Sequence, residues 1–303
     1  MTESSKSADL FARIRQKKSS YLFVAPFLIF FFMFTVLPVI ISIFYSFTSF
    51  NVLESPKFIW AENYLRLFLS DDIFMTSIKN TLIIAVVVGP VSYILSLMLA
   101  WLINDFSRRT RSIFTLIFYA PSISGNVYLI WMVLFSSDSH GYINGLLLKL
   151  GFIAQPVLWL KDERFMLMII IIVSLWSSIS TSFLSFIAGL QGVDRAQYEA
   201  AAIEGVKNRW QELWYVTLPS MKPQLMFGAV MSITASFGVG AVVTALCGFP
   251  STNYAAHTIM NHLEDYGGIR YEMGYASAIA VLLFVLMVGS NMVIRRMISK
   301  VGK

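Results

Sequence analysis

The chain has 303 residues, of which 57% are hydrophobic and 13% charged, with a mean hydropathy of +0.69 and a net charge of +6. A soluble domain carries about a quarter charged residues, and a soluble chain of this balance would expose apolar patches large enough to aggregate. The composition therefore excludes an ordinary soluble enzyme, and the single cysteine, Cys247, excludes an internal disulfide or a cysteine-based metal cluster and reads as a packing residue.

Six apolar segments follow in chain order, at about 22–46, 80–104, 113–136, 165–189, 224–248 and 274–294. Each is near the ~20 residues that a helix needs to cross a bilayer. The runs are continuous rather than alternating, which selects helices over barrel strands. The fold class expected is an all-α integral membrane protein of six transmembrane helices. Residues 1–21 form a tail, 22–296 the membrane domain with a polar loop at 190–223, and 297–303 a second tail. The first segment is too long for a signal-peptide core and no small-residue cleavage site follows it, so it reads as an uncleaved anchor.

Charge gives the orientation. With the N-terminus in the cytoplasm, only Lys57, Arg66, Lys79, Lys149, Lys161, Arg164 and Arg270 fall in outer segments, and the other 16 of the 23 Lys and Arg lie inside. The positive-inside rule then places both termini and the 190–223 loop in the cytoplasm. The net charge reflects this topology and does not point to nucleic acid.

The six segments contain no Asp, Glu, Lys, Arg or His. Ion-coupled carriers and voltage sensors place ionisable groups at membrane depth, so the energy source is expected in a partner on the cytoplasmic side. No G-x-x-x-x-G-K-[ST] loop, H-E-x-x-H motif or G-x-S-x-G elbow is present. His140, His257 and His262 all fall in outer loops, where solvated roles are expected and no metal site.

The 190–223 loop separates the fourth and fifth segments. Asp194 is a candidate N-cap, with Gln197 three residues on in capping-box register. The EAAAIEG run favours a helix ending at Gly205. A second short helix is expected from about Asn208 to Tyr215, with Pro219 and Pro223 preventing smooth entry into the fifth segment. These features fit a docking device or an amphipathic connector equally.

Glu199-Ala200-Ala201, three residues, Gly205 and a spacer leading to Val216-Thr217-Leu218-Pro219 resemble the EAA loop of binding-protein-dependent ABC importer permeases. The spacer 206–215 has ten residues where that family usually has nine. The likeness extends along the chain to the sugar-permease branch, which includes the maltose-system and glycerol-phosphate-system membrane subunits. Pro26 and Pro38 in the first segment, Glu62-Asn63-Tyr64, Asn80-Thr81-Leu82, Tyr119-Ala120-Pro121, Gly248-Phe249-Pro250 and Met273-Gly274-Tyr275-Ala276-Ser277-Ala278 carry it. Phe249 stands where a second Gly is usual.

The resemblance implies a transport subunit with no catalytic site, metal or cofactor of its own, ATP and Mg being bound by partner ATPase subunits. It implies a second homologous permease, in a heterodimer, two ATP-binding subunits and an extracytoplasmic solute-binding protein. Glu199, Ala200, Ala201, Gly205, Leu218 and Pro219 would carry the coupling to the ATPases. The location implied is the bacterial cytoplasmic membrane.

A sugar needs hydroxyl and amide partners and aromatic faces. Ser174, Ser178, Thr181 and Ser185 fall at i, i+4, i+7 and i+11, one stripe on a continuous fourth helix, with Trp176 projecting elsewhere. Asn126, Tyr128, Ser180 and Ser236 are further pathway candidates. Gly228, Ser232, Ser236 and Gly240 recur every fourth residue, a pattern that favours close helix packing. The rival readings are a permease for a non-sugar solute such as a glycerol phosphodiester, a secondary carrier, or a membrane enzyme built on His262, Glu264 and Asp265.

Overall fold

The computed structural model describes residues 18–124, 127–179 and 181–298. Among them the regular secondary structure is helical, apart from one isolated bridge between Thr48 and Phe58. The first segment is α1 (Lys18–Phe31), a π turn (Phe32–Val36) and α2 (Leu37–Tyr45). The π turn closes with the Leu37 amide on the Phe32 carbonyl, immediately before Pro38. A proline ring clashes with the carbonyl four residues back in regular α geometry, and a wider turn relieves that clash. The candidate span Tyr21–Tyr45 has no buried residue in its most apolar stretch and packs on the rest of the chain mainly through α2, against the sixth segment.

After the short outer helix α3 (Glu62–Leu69), α4 (Asp72–Asn104) forms the second span. Its 33 residues reach about 50 Å at 1.5 Å per residue, so its ends stand beyond the hydrocarbon core. The third segment is α5 (Arg108–Ile123) and α6 (Tyr128–Leu134), which meet at 84°. A short outer helix α7 (Tyr142–Lys149) precedes the fourth segment, split into α8 (Glu163–Ser177) and α9 (Thr181–Gln191). The loop between the fourth and fifth segments holds α10 (Arg195–Ile203), α11 (Arg209–Glu212) and α12 (Leu218–Ser220). The fifth segment is α13 (Lys222–Phe237) and α14 (Gly240–Cys247), the outer loop carries α15 (Ile259–Glu264), and α16 (Met273–Ile298) is the sixth segment.

Among the described residues five helices are long and apolar enough to cross a membrane, six with the bent third pair taken as one span; the third, fourth and fifth segments are each divided. The fourth breaks in a serine-rich run. The Ser177 hydroxyl donates to the Val173 carbonyl at 2.9 Å and Ser178 to Leu175 at 2.9 Å, local bonds that compete with the helical ladder. The fifth pauses at Gly238 and Val239, where α13 caps. The third turns two residues past Pro121.

α4 is the central element, with α9 and α13 packed on it and α16 behind α13. One apolar cluster joins Ile84, Ile169, Ile170 and Val243, and a second, towards the α10–α12 loop, joins Leu97, Phe183, Phe186 and Met221. A third joins Leu67, Phe74, Ile259 and Ile279. The small residues of the fifth span permit this packing. Gly228 lies under the Phe186 ring, Ser236 faces Gly89, and Gly240 lies under Met260. The Ser182 hydroxyl bonds the Gly228 carbonyl and meets Ser232, both at 3.0 Å.

Gly228→Leu is accordingly expected to force α9 off α13, lowering stability by about 1–3 kcal/mol, the usual cost of overpacking. The thermal midpoint of the detergent-solubilised protein reads this directly. Gly289→Ala, at a position with open space around it, is the matched control and should hold or slightly raise the midpoint. Equal midpoints for the two variants would show that the α9–α13 contact is not tight.

The outer layer explains two of the motif asparagines. Asn63 is buried, and its amide donates to the Ser46 and Thr48 carbonyls, each at 2.9 Å. The Asn80 amide donates to the carbonyls of Ala255 and His257, also at 2.9 Å, while Thr81 accepts from the Ile259 amide. A buried amide that satisfies two loop carbonyls fixes the loop to the helix. Gly274 sits where a side chain would strike the Thr48 carbonyl.

Two sequence expectations about this layer are corrected. His257 and His262 are each only 1% exposed, not solvated, because α15 folds the outer loop back over the α4 end under a Thr258–Asn261 capping box. His262 bonds Asp71 at 3.0 Å and Asp265 pairs with Arg270 at 2.6 Å, so the His262, Glu264 and Asp265 set forms no acid–base cluster. His140 remains in an exposed turn. Among the described residues no group of His, Cys, Asp and Glu is arranged to hold a metal.

Candidate coupling loop and translocation path

α10 starts where Asp194 accepts the Ala196 amide at 3.0 Å. The expected capping box does not close: the Gln197 side chain instead accepts the Ser220 hydroxyl at 2.7 Å, across the loop. Next to it, the Tyr198 hydroxyl meets Thr217 at 2.9 Å. These two bonds, with the buried Ala201 beside them, fasten one face of α10 to the base of the fifth span. The opposite face stays free: Glu199 and Ala200 are exposed, and Ile203 is 89% exposed.

The helix ends as the sequence predicts. Gly205 adopts φ +99°, its amide bonds the Ala202 carbonyl, and the Val206 amide bonds Ala201 at 3.0 Å. This pair of bonds is a Schellman closure, which requires a left-handed residue and so favours glycine. The chain then turns into α11, capped by Asn208 on the Gln211 amide at 2.9 Å.

Helix continues after α11 as a π turn, Leu213–Thr217, closed by the Leu218 amide on the Leu213 carbonyl. As in the first span, the wide turn directly precedes a Leu-Pro pair. A π turn also accommodates one residue more than an α turn, and so it takes up the ten-residue spacer. Leu218 is thereby buried with Leu213 and Val216, and Pro219 is half-buried at the start of α12.

Sequence reading missed a clasp between this loop and the second span. The Arg209 guanidinium pairs with Asp105 at 2.7 Å, donates to the Trp101 carbonyl at 3.3 Å and lies 4.4 Å from the Trp101 ring centre. Trp210 packs on the same ring at 4.8 Å. The ion pair is half-exposed and contributes little alone, about 0.2–1 kcal/mol, but stacking adds to it. No local pattern signals a contact between residues 108 apart in the chain.

The described pathway candidates fall on α6, α8, α9 and α13. Ser174 is buried in α8 and its hydroxyl has no partner among the described residues. Ser178 follows the end of α8 with its hydroxyl turned back to Leu175. Thr181 opens α9 and Ser185 is half-buried along it. Ser174 and Ser178 thus stand at the end of α8, and Thr181 and Ser185 on α9. Tyr128 begins α6 and packs against the first apolar cluster. Ser236 is buried and donates to the Ile233 carbonyl at 2.7 Å. Asn126 and Ser180 lie outside the described residues. Trp176, expected to project away, meets Trp131 edge to face at 5.4 Å.

Broken helices at membrane depth are tolerated only where protein buries them or water lines them, and transporters use such breaks to build solute sites. Comparison with known proteins decides the family. Residues 92–303 match the model of the binding-protein-dependent transport system inner membrane component. The chain belongs to that family. This permease is 32% identical to a probable ABC transporter permease protein of Bacillus subtilis (strain 168), over 88% of this chain and 86% of that one. It is 31% identical to a lactose transport system permease protein of Rhizobium radiobacter, over 71% of each chain. It is 29% identical to an arabinooligosaccharides transport system permease protein of Bacillus subtilis (strain 168), over 89% of this chain and 85% of that one. Among solved structures, a bacterial ABC transporter involved in import of the acidic polysaccharide alginate superposes with a TM-score of 0.73 at 26% identity, covering 95% of this permease and 99% of that chain.

Proposed function

We propose that this permease is one membrane subunit of an ATP-driven importer for a sugar or oligosaccharide. It works beside a second, homologous permease in a heterodimer. An extracytoplasmic binding protein delivers the solute, and two ATP-binding subunits, which bind the ATP and Mg, dock on the cytoplasmic side. Both termini and the α10–α12 loop face the cytoplasm. The observation that carries the reading is α10: bolted on one face through Tyr198 and Gln197, bent sharply at Gly205, and presenting Glu199, Ala200 and Ile203 outward. A rigid helix with an exposed carboxylate and an exposed apolar tip suits a groove on a partner.

A sugar fits the spans because their polar side chains are hydroxyls and amides rather than charges. Relatives whose names specify lactose and arabinooligosaccharides support the class. Ser174, with its unpartnered hydroxyl, Ser178, Thr181, Ser185, Tyr128, Asn126 and Ser236 are the pathway residues we assign.

Gentle-detergent copurification from the native membrane, with mass spectrometric identification, tests the assembly. It is expected to recover an ATP-binding subunit and a second six-span protein. Recovery of this chain alone, still transporting after reconstitution, would overturn the reading. Glu199→Lys tests the loop: the chain should insert normally, while sugar-stimulated ATPase and transport drop at least tenfold, the loss that ~1.4 kcal/mol of docking energy produces. Unchanged transport would remove the coupling role from α10.

A further inference from the structure

We propose that a groove between α5 and α9 holds an anionic phospholipid of the cytoplasmic leaflet. The proposal rests on the cytoplasmic placement of the α10–α12 loop and on nothing about the transported solute. The groove has a volume of about 370 Å³. Its mouth carries Arg108 and Arg111, its middle Ser112 and Thr115, and its far end Leu116, Tyr119 and Ile187. From residue 108 to 119 the α5 axis advances about 16 Å, so the chemistry passes from cationic through hydroxyl to apolar over the depth that separates a headgroup from its acyl chains.

The charges at the mouth are available. Arg108 makes no ion pair among the described residues, and Arg111 donates to the Asn104 carbonyl at 3.1 Å, an uncharged partner. No carboxylate lines the groove; those lining the adjoining cavity are Asp105, engaged by Arg209, and Glu212. Arg195 also borders that cavity, which shares Arg111 with the groove. Guanidinium groups suit a phosphodiester, because their planar fork matches two of its oxygens.

The hydroxyls are already committed as donors, Ser112 to the Arg108 carbonyl at 2.9 Å and Thr115 to Arg111 at 2.8 Å. Their oxygens remain free to accept, which fits a headgroup that carries hydroxyls, such as glycerol. The apolar end separates a lipid from a soluble phosphate, which would leave those walls wet. The flank of α5 supports a lipid setting: Ile113, Leu116 and Ile117 are all exposed, while Phe118 anchors the helix on Phe183 at 6.1 Å. Basic pockets between spanning helices on the cytoplasmic side bind anionic headgroups in this way.

The test uses the assembled transporter, released from nanodiscs of phosphatidylglycerol or of phosphatidylcholine and followed by native mass spectrometry. The expected result is one retained phosphatidylglycerol per copy of this chain and none of phosphatidylcholine. The double variant Arg108→Gln/Arg111→Gln should weaken retention roughly thirtyfold, from the attraction that two near-surface arginines supply. Thr115→Trp fills the groove without altering charge or topology and should also abolish retention. Equal retention of both lipids, retention that survives either variant, or displacement by millimolar inorganic phosphate would each overturn the proposal. So would a groove found covered by the second permease.

Discussion

Gly205→Val is expected to abolish ATP-coupled transport in a chain that still inserts. The cause is conformational, because no atom lies within 4 Å of the added Cβ. At φ +99° a β-branched residue carries roughly 1–3 kcal/mol of backbone strain. Relief of that strain opens the bonds from Gly205 and Val206 to the Ala202 and Ala201 carbonyls. α10 has nine residues, too short to persist without its closures. The outward face that carries Glu199 and Ile203 then loses its angle to the membrane domain. Transport and ATPase activity in proteoliposomes should rank Gly above Asn, Asn above Ala, and Ala above Val, because Asn tolerates left-handed backbone best after Gly. A flat series, with all four equally active, would show that the bend has no part in coupling.

Asp71→Ala is expected to cost the folded protein about 3–5 kcal/mol, from a lost helix cap and two buried groups left without their acceptor. Asp71 caps α4 through the Phe74 amide at 2.8 Å, accepts the Tyr275 hydroxyl at 2.7 Å and bonds His262 at 3.0 Å. One carboxylate thus joins the start of the second span, the outer loop and the start of the sixth. Arg66 extends the cluster, lying 4.1 Å over the Tyr275 ring and pairing with Glu272 at 2.6 Å. The thermal midpoint in detergent measures the loss, and Asp71→Asn, which keeps an acceptor, should lose less.

The same cluster predicts the pH dependence. Burial opposes the charge of Asp71, but bonds from His262, Tyr275 and the Phe74 amide outweigh it and hold the carboxyl well below its usual range. A depressed carboxylate stabilises the fold above its unfolded pKa, near 4, and that stability drains away as pH falls further. His257 acts at milder acidity. Burial first, then the neighbouring His262, push it down from 6.5 to about 4. Between those values the unfolded chain binds the extra proton, so stability falls as pH falls from 6.5 towards 4. The midpoint should therefore decline across that window in the parent and stay flat there in His257→Phe, whose ring still packs among Phe249 and Tyr254.

Much of this protein is legible in its residues because the deciding physics is local. Span number follows from apolar runs, since lipid admits no other backbone solution for continuous apolar segments. The proposed orientation rests on where 23 cations fall, by the positive-inside rule. α10 is written in the EAAAIEG run, whose alanines favour helix and whose glycine alone suits the bend. The Leu-Pro pairs likewise carry their π turns, since a proline conflicts with the carbonyl four residues before it.

What the tertiary structure decided depends on groups distant along the chain. The capping box failed because Ser220, 23 residues away, offered Gln197 a better partner. His257 and His262 became core residues because α15 folds over the end of α4, where Asp71 and the Asn80 amide bind it. Arg209 found Trp101 and Asp105 across the loop. In each case composition and period specify which groups seek partners, but only packing brings a given partner within hydrogen-bonding distance and removes the water that would otherwise have served instead.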